Sequence, residues 1–353
     1  MQAILTVTVP FFALVLAGWL AAHQRLLPEA AIPGLNAYVL YFALPCLLLR
    51  FGITTPVLDL LNPAVLVVYV GCALLIVGVT VLVSRNARVG VKDAAFGALV
   101  AAFPNSGFMG VPLLVALLGP AAAGPVICTL LADLFVTSSV CIGLAQWQGT
   151  PGTPGLPGLP TATANAAANA TATATAPAMT STTRAAGQAA LRALRGALSN
   201  PLPWAIALGA LLSAAGWRLD GPLDVVVRML ADSASPVALF TIGAVLWRAG
   251  LHARHRTPLV DYLPAALIKL LLHPLLVFGV GSAARALGAP LSAFQLTVLT
   301  LAAALPSASN VSLLTERYGA DSGRVARIIL ASTVLAFGSF SALAWWFGAR
   351  PGD

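Results

Sequence analysis

The sequence has few charged residues. Asp, Glu, Lys and Arg make up only 8% of its 353 residues, whereas 59% are hydrophobic. A soluble globular domain carries about 25% charged residues, so this shortage excludes an ordinary soluble domain. The formal net charge of +8 is therefore interpreted by where Lys and Arg fall relative to a membrane, and it does not indicate a nucleic-acid-binding surface.

The sequence also lacks the short motifs of several common chemistries. No GxxxxGK[ST] phosphate-binding loop is present, which argues against ATP-driven work by this chain. HExxH and DDxxD motifs are absent, and His23, His252, His255 and His273 do not fall at metal-ligand spacing. We therefore expect no metal, no cofactor and no enzymatic activity.

Cysteine pairs of the CxxC type are missing as well. Cys46, Cys72, Cys128 and Cys141 all lie in apolar segments, where they are expected to behave as small buried hydrophobic residues. The first apolar segment has no basic region ahead of it and no convincing cleavage site. We therefore expect a retained helix there and not a signal peptide.

Long apolar segments with few charges make up most of the chain, and each is typical of a transmembrane helix. They predict an all-α integral membrane protein with ten spans, at residues 3–22, 31–51, 63–84, 93–118, 122–146, 201–217, 222–247, 261–287, 291–318 and 322–348. Between spans five and six lies a low-complexity Pro/Gly-Ala/Thr stretch. It predicts a linker over 148–199, with an amphipathic segment near its end, between halves at 1–147 and 200–353.

The distribution of Lys and Arg predicts the orientation in the membrane. Thirteen of these residues fall in the loops after spans one, three, five, seven and nine, and four fall on the opposite side. The last of the basic loops is taken to include Arg317, Arg324 and Arg327. By the positive-inside rule the basic side is cytoplasmic, so the linker is expected in the cytoplasm and both termini outside.

Five spans on each side of the linker enter the membrane in opposite senses, which is the pattern of an inverted repeat. Corresponding spans share local features. Span two carries Pro45 and Gly52, and span seven carries Pro236 and Gly243 at the same spacing. Spans four and nine each contain a polar interruption, FPNSG at 103–107 and LPSASN at 305–310. These matches predict an internal duplication.

Both interruptions lie near the centres of their spans. Proline removes a backbone donor, and lipid cannot satisfy the carbonyls that are freed, so such backbone must be buried in protein or line a wet cavity. A half-helix that begins at an interruption points its unpaired N–H groups, and the positive end of its dipole, at the cavity. Such a helix start favours binding of an anion. The alternative is a pair of proline kinks whose polar residues satisfy one another. The predicted substrate-binding residues are Pro104, Asn105, Ser106, Gly107, Pro306, Ser307, Ser309 and Asn310.

The segments FPNSGFMGVPLL, SASPVALFTIG, KLLLHP at 269–274 and LPSASNVSLLTERYG at 305–319 resemble the auxin efflux carrier family, which includes bacterial permeases for organic acids such as malate and malonate. The resemblance covers nearly the whole chain except the linker. It implies ten helices in two inverted five-helix repeats, with helices 4 and 9 broken and crossing at the substrate site. It also implies a homodimer in the bacterial inner membrane, in which spans 3–5 and 8–10 move past a scaffold of spans 1, 2, 6 and 7. The auxin site of the plant members cannot be assumed here.

A few ionisable residues lie within the spans, where charge is costly and often functional. Asp133 in span five is a candidate for binding a coupling proton or sodium ion; the alternative is an acid hydrogen-bonded between helices. Lys269 and His273 share a face of span eight. Lys269 could attract a carboxylate substrate, pair with Asp133 or snorkel to the interface. His273 could relay a proton or simply pack.

Two further pairs of residues in the spans carry expectations. Arg228 and Asp232, four apart in span seven, are expected to form an ion pair with each other. Ser332 and Thr333 roughly mirror Asp133 in the second half and could line the same cavity.

These features together favour a secondary transporter of small mono- or dicarboxylates. It would work by an elevator-type motion and would be coupled to H⁺ or Na⁺ or run down a gradient. The alternatives are a sodium-coupled symporter of larger amphipathic anions of the bile-acid type, an intramembrane enzyme, or a receptor or channel. The expected partners are the substrate, the bilayer and a second copy of the chain, with no nucleic acid.

Overall fold

The computed structural model of the chain describes residues 2–54, 62–86, 88–147, 200–217, 219–251 and 257–349. The linker predicted over 148–199, with its amphipathic segment, lies outside these residues. Within the described residues the structure is helical and contains no strands. The helices are α1 Gln2–His23, α2 Glu29–Thr54, α3 Pro63–Ser84, α4 Val91–Ala102, α5 Ser106–Leu118, α6 Pro120–Gln146, α7 Pro201–Ala214, α8 Gly221–Leu251, α9 Leu259–Ala286, α10 Ala293–Ala303, α11 Val311–Arg317 and α12 Ser322–Trp346.

Seven of the described helices are long and apolar enough to cross a membrane: α1, α2, α3, α6, α8, α9 and α12. Helices α5, α7 and α10 are apolar but shorter. Large apolar side chains remain exposed on these helices, among them Val67 and Leu82 on α3. Such surface is expected where lipid replaces water. The prediction of an all-α, multi-pass membrane protein is confirmed.

Polar residues at the helix ends explain where several helices begin. The Asn62 side chain accepts hydrogen bonds from the Ala64 and Val65 amides at the start of α3, and Asn200 accepts one from the Leu202 amide at the start of α7. In both cases a proline follows the cap, and its missing N–H costs nothing at that position. The same Asn-Pro signal therefore begins a helix in each half of the chain.

The helices pack into two groups. The first group consists of α1, α2, α7 and α8, in which α1 packs on α8 and α2 packs on α7. The second group contains the remaining helices, among them the packed pairs α3 with α4 and α9 with α10. Helices α1 and α8 of the first group also contact α5 and α12 of the second.

Glycine allows close backbone contact at both crossings of the first group. On α8, a Cβ at Gly243 would collide with the Val15 carbonyl oxygen of α1. On α2, a Cβ at Gly52 would lie 3.0 Å from the Gly209 Cα of α7. Small residues at such crossings permit helices to approach until their backbones touch, which is a common way to pack helices in membranes.

Four helical turns in the described chain are widened to π geometry, at Val39–Ala43, Ser106–Gly110, Asp133–Thr137 and Ile268–Leu272. Such turns are rare and recur at functional sites. The last three contain residues that the sequence marked as candidates: Ser106 and Gly107, Asp133, and Lys269. The site is therefore built largely on irregular helical turns in the protein interior.

Candidate functional site

The helical structure is interrupted at two places that lie beside each other. Helix α4 ends at Ala102 and α5 begins at Ser106, while α10 ends at Ala303 and α11 begins at Val311. Because prolines 104 and 306 lack an N–H group, neither stretch can continue the α-helical hydrogen-bond pattern. The consequence is a set of backbone groups that must find partners outside their own helix.

The two interruptions satisfy part of each other's backbone. The Asn105 amide donates to the Pro306 carbonyl at 2.8 Å, and the Ala308 amide donates to the Phe103 carbonyl at 3.0 Å. These bonds form a short antiparallel bridge between Pro104 and Ser307. Backbone hydrogen bonding thus fixes the two stretches in contact, although they are about 200 residues apart in sequence.

Nearly all of the candidate residues in the interruptions are buried. Pro104, Ser106, Gly107, Pro306, Ser307 and Ser309 are buried, as is Asn105 at 5% exposure, and Asn310 is half-buried. The Ser307 hydroxyl has no hydrogen-bond partner among the described residues. The second interruption therefore holds an unused hydroxyl in the interior, where such a group is costly.

One hydroxyl from a neighbouring helix reaches each interruption. Thr129 on α6 donates to the Ser106 hydroxyl at 3.3 Å. Ser332 on α12 accepts from the Ser307 amide at 3.2 Å, whereas Thr333 donates to the Ile329 carbonyl of its own helix. The sequence analysis matched Ser332 with Asp133 and overlooked Thr129. The spacing could have identified Thr129 as the counterpart of Ser332. Thr129 lies 25 positions after Pro104, and Ser332 lies 26 positions after Pro306.

Lys269 of α9 contacts the end of α10, the helix that precedes the second interruption. It is fully buried, and its Nζ donates to the Ala303 carbonyl at 2.7 Å and lies 3.3 Å from His273 Nδ1. In a continuous helix the Ala303 carbonyl would accept from residue 307, but the Ser307 amide is bonded to Ser332. The lysine therefore replaces a helical hydrogen bond that the interruption removes. It does not snorkel to the interface.

Asp133 lies in the π turn of α6 and is also fully buried. Its Oδ2 accepts a hydrogen bond from the Tyr69 hydroxyl at 2.8 Å, and its Oδ1 accepts one from Thr137 at 2.9 Å. No ion pair joins it to Lys269 among the described residues, although the two are close enough to interact electrostatically. The sequence missed Tyr69, the only tyrosine in the third span, and Thr137, four residues after the acid.

Aromatic rings connect the acid to the lysine. The ring of Tyr69 lies 5.9 Å from the ring of His273, centroid to centroid, and His273 in turn contacts Lys269. His273 is fully buried, and its Nε2 has no hydrogen-bond partner in the described structure. The result is a continuous buried chain from Asp133 through Tyr69, His273 and Lys269 to the second interruption. We refer to these four residues as the polar chain.

A second buried cation lies near the beginnings of α4, α9 and α12. Arg324 donates from Nε to the Asp261 carbonyl at 2.6 Å and from Nη1 to the Asp93 carbonyl at 2.9 Å. It is 1% exposed and packs against Gly97 of α4. Arg324 was counted with the cytoplasmic loop although the predicted span 322–348 contains it; it lies within α12, which begins at Ser322 and is capped by Asp321 through the Arg324 amide. The guanidinium joins three helices of the second group.

The expected ion pair between Arg228 and Asp232 is wrong. Arg228 pairs instead with Asp224, and Asp232 lies 3.6 Å from Arg50 of α2. Side chains on a helix lean towards its N-terminus, and an acid four residues before a base is the more favourable order. Arg228 therefore turns towards the start of α8, which leaves Asp232 to the neighbouring helix.

Comparison with known proteins finds similarity along nearly the whole chain. Residues 3–344 match the family described as "Membrane transport protein". A relative from Rhizobium meliloti (strain 1021), named "Putative malonate transporter", is 27% identical over 360 aligned positions that cover 100% of this chain and 99% of the relative. The match extends over both helix groups and both interruptions.

Proposed function

The chain belongs to the membrane transport protein family that includes the auxin efflux carriers, and from this premise we propose that it is a secondary transporter of small organic anions. Membership of this family indicates a transporter and not an enzyme. Mono- and dicarboxylates are the substrate class, and the name of the Rhizobium relative makes malonate the first compound to test.

The observation that carries the proposal is the pair of interruptions. Their backbones are bonded to each other, while the buried hydroxyl of Ser307 is left without a partner among the described residues. Unused donors and acceptors in a buried region are stabilised when a polar ligand satisfies them. Helices α5 and α11 both begin here, so their dipoles favour a negatively charged ligand. The buried ammonium group of Lys269 adds a positive charge beside the second interruption.

The packing supports an elevator-type mechanism with ten spans. In this proposal α4 with α5, and α10 with α11, form the broken spans four and nine, which cross at the substrate site. The first helix group corresponds to the scaffold of spans 1, 2, 6 and 7, and the second group to the moving part. A cavity of about 450 Å³ lies between α8 of the first group and α9 and α12 of the second, lined by residues that include Leu246, Tyr262 and Leu330.

Two inverted repeats, with both termini outside and the linker in the cytoplasm, complete the proposal. The duplication is supported by Gly52 and Gly243, which occupy matching positions in spans two and seven and each make a close crossing in the first group. In this orientation the 450 Å³ cavity opens towards the cytoplasm. A homodimer in the bacterial inner membrane rests on the family resemblance.

Transport by purified protein in liposomes tests the function. Liposomes loaded with unlabelled malonate should take up labelled malonate by counterflow, because exchange requires a saturable carrier. Asn105→Ala should reduce this exchange at least tenfold, since losing one hydrogen bond to a charged group costs about 1.5–3 kcal/mol. Asn36→Ala is the matched control, because Asn36 is a half-buried residue of α2 in the first helix group.

The outcomes separate the parts of the proposal. Exchange by wild type and Asn36→Ala, with its loss in a well-folded Asn105→Ala protein, supports both the function and the site. Undiminished exchange by Asn105→Ala would refute the site. Absence of exchange for every mono- and dicarboxylate tested with wild-type protein would refute the function.

A further inference from the structure

The polar chain contains a buried aspartate and a buried lysine on helices of different halves. Asp133 is on α6 and Lys269 on α9, and both are fully buried. A charge in the membrane interior is costly unless an opposite charge compensates it. With Asp133 as carboxylate and Lys269 as ammonium, the empty site is neutral overall.

Binding of a carboxylate would disturb this balance. The Lys269 ammonium lies directly at the second interruption, where its Nζ is 2.7 Å from the Ala303 carbonyl. A singly charged substrate placed at the interruptions would use the positive charge and leave the buried site with one net negative charge. Uncompensated charge in a medium of low polarity strongly opposes binding.

A proton on Asp133 restores neutrality. The titratable groups around Asp133 and its partner Tyr69 are Cys72 on α3, Cys141 on the helix of Asp133, and Lys269 with His273 on α9. Tyrosine and cysteine are ordinarily uncharged. Lys269 already carries its charge in this scheme, and a proton on His273, whose Nδ1 lies 3.3 Å from Lys269 Nζ, would place two positive charges side by side. Asp133 is therefore the group in this set that can cancel a negative charge by accepting a proton.

The hydrogen-bond partners of Asp133 suit a carboxyl group that carries a proton in one state and lacks it in the other. Both of its side-chain donors are hydroxyls, from Tyr69 and Thr137. A hydroxyl can turn from donor to acceptor, whereas a backbone N–H or an arginine cannot. A protonated Asp133 could therefore donate to one of these oxygens while still accepting from the other, so neither state leaves a buried polar group unpaired.

We propose that Asp133 takes up a proton when a carboxylate substrate binds beside Lys269 and releases it when the substrate leaves, so that transport is coupled to proton movement. This inference rests on the proposed function. Asp133 can take up a single proton, so one proton enters with each substrate molecule, and transport of a singly charged acid is therefore electroneutral.

Proton uptake can be measured directly on wild-type protein. Malonate or a monocarboxylate such as propionate is added to purified protein in weakly buffered detergent solution with a pH-sensitive dye, and binding is measured in parallel. We expect about one proton taken up per bound propionate, since a ligand that favours the protonated form must draw protons from solution. Binding without proton uptake would overturn the inference, and this measurement requires no variant.

The variant Asp133→Asn gives the second test, because asparagine resembles the neutral acid but cannot release a proton. In liposomes with an inwardly directed proton gradient, wild type should accumulate substrate against its gradient. Asp133→Asn should lose this accumulation, and whatever counterflow exchange it retains should no longer vary with pH. Asp232→Asn, the same change at an exposed acid of α8, should behave as wild type.

Each result has a distinct meaning. Gradient-driven accumulation by Asp133→Asn equal to wild type would overturn the inference while leaving the proposed function intact. Should Asp133→Asn fail to fold, Tyr69→Phe provides the same test: removing one reversible hydroxyl should shift the pH at which uptake is half-maximal, and an unchanged pH profile would overturn the inference. Wild-type protein that neither binds nor exchanges any carboxylate would refute the proposed function, and with it this inference.

Discussion

Replacement of Gly97 by alanine should weaken the structure where three helices of the second group begin. A Cβ at this position would collide with the Arg324 guanidinium, whose Cζ would be 3.1 Å away. The guanidinium cannot move away freely, because its Nε and Nη1 are bonded to the carbonyls of Asp261 and Asp93. Relief of the collision therefore requires at least one of these bonds to break.

The size of the effect follows from these two hydrogen bonds. Each bond from a charged donor contributes about 1.5–3 kcal/mol, and a buried guanidinium that loses its partners also keeps its desolvation cost. Losing one or both gives a destabilisation of roughly 2–5 kcal/mol, which exceeds the stabilisation of up to about 1 kcal/mol that alanine gains over glycine in a helix. A change of this size should lower the unfolding temperature of a chain of this length by roughly 3–7 °C.

Thermal unfolding of purified Gly97→Ala in detergent measures this effect. Gly78→Ala is the matched control, since Gly78 lies within α3 and a Cβ there would meet no atom within 4 Å. The double variant Gly97→Ala/Arg324→Met should be destabilised by less than the sum of the destabilisations of the two single variants. The reason is that the flexible, uncharged methionine removes the collision. If Gly97→Ala unfolds at the same temperature as Gly78→Ala, the proposed contact is not a determinant of stability.

Two further changes test the first helix group. Gly243→Ala should prevent α8 from approaching α1, because its Cβ would collide with the Val15 carbonyl oxygen. Less folded protein should therefore be recovered by size-exclusion chromatography. Gly250→Ala is the control, because a Cβ at this position of the same helix meets open space. Recovery of as much folded Gly243→Ala as Gly250→Ala would contradict the close crossing. Arg50→Ala removes an exposed ion pair with Asp232 at 3.6 Å. It should change the free energy of unfolding by less than about 1 kcal/mol, since exposed ion pairs contribute little to stability. A drop in unfolding temperature as large as that of Gly243→Ala would contradict this.

Composition alone predicts the all-helical membrane fold, because a helix is the only way for an isolated apolar segment to satisfy its backbone in lipid. Local rules also place the helix starts well. Asn62 and Asn200 each precede a proline, and span three and α7 begin where this signal predicts. Such features depend only on neighbours in sequence.

Contacts between helices could not be predicted in the same way. Sequence reasoning marked Asp133 and Lys269 but had no means of finding Tyr69, which lies 64 positions before the acid it contacts. Arg324 falls within the predicted span 322–348, but its burial could not be predicted, because it depends on Gly97 and on two carbonyls of other helices. Side-chain partners of this kind are fixed by packing, which a single sequence does not show.

The proposed duplication explains how a symmetric framework can hold an asymmetric site. Each half supplies one interruption and one hydroxyl, Thr129 or Ser332, that reaches it. The charges do not follow this symmetry, because the first half alone supplies the buried acid Asp133 and the second half alone supplies Lys269. An acid in both halves would leave two negative charges facing an anion, and a base in both would hold the anion too strongly for release. One of each gives a neutral empty site whose occupancy by a carboxylate and a proton can be reversed, as repeated transport requires.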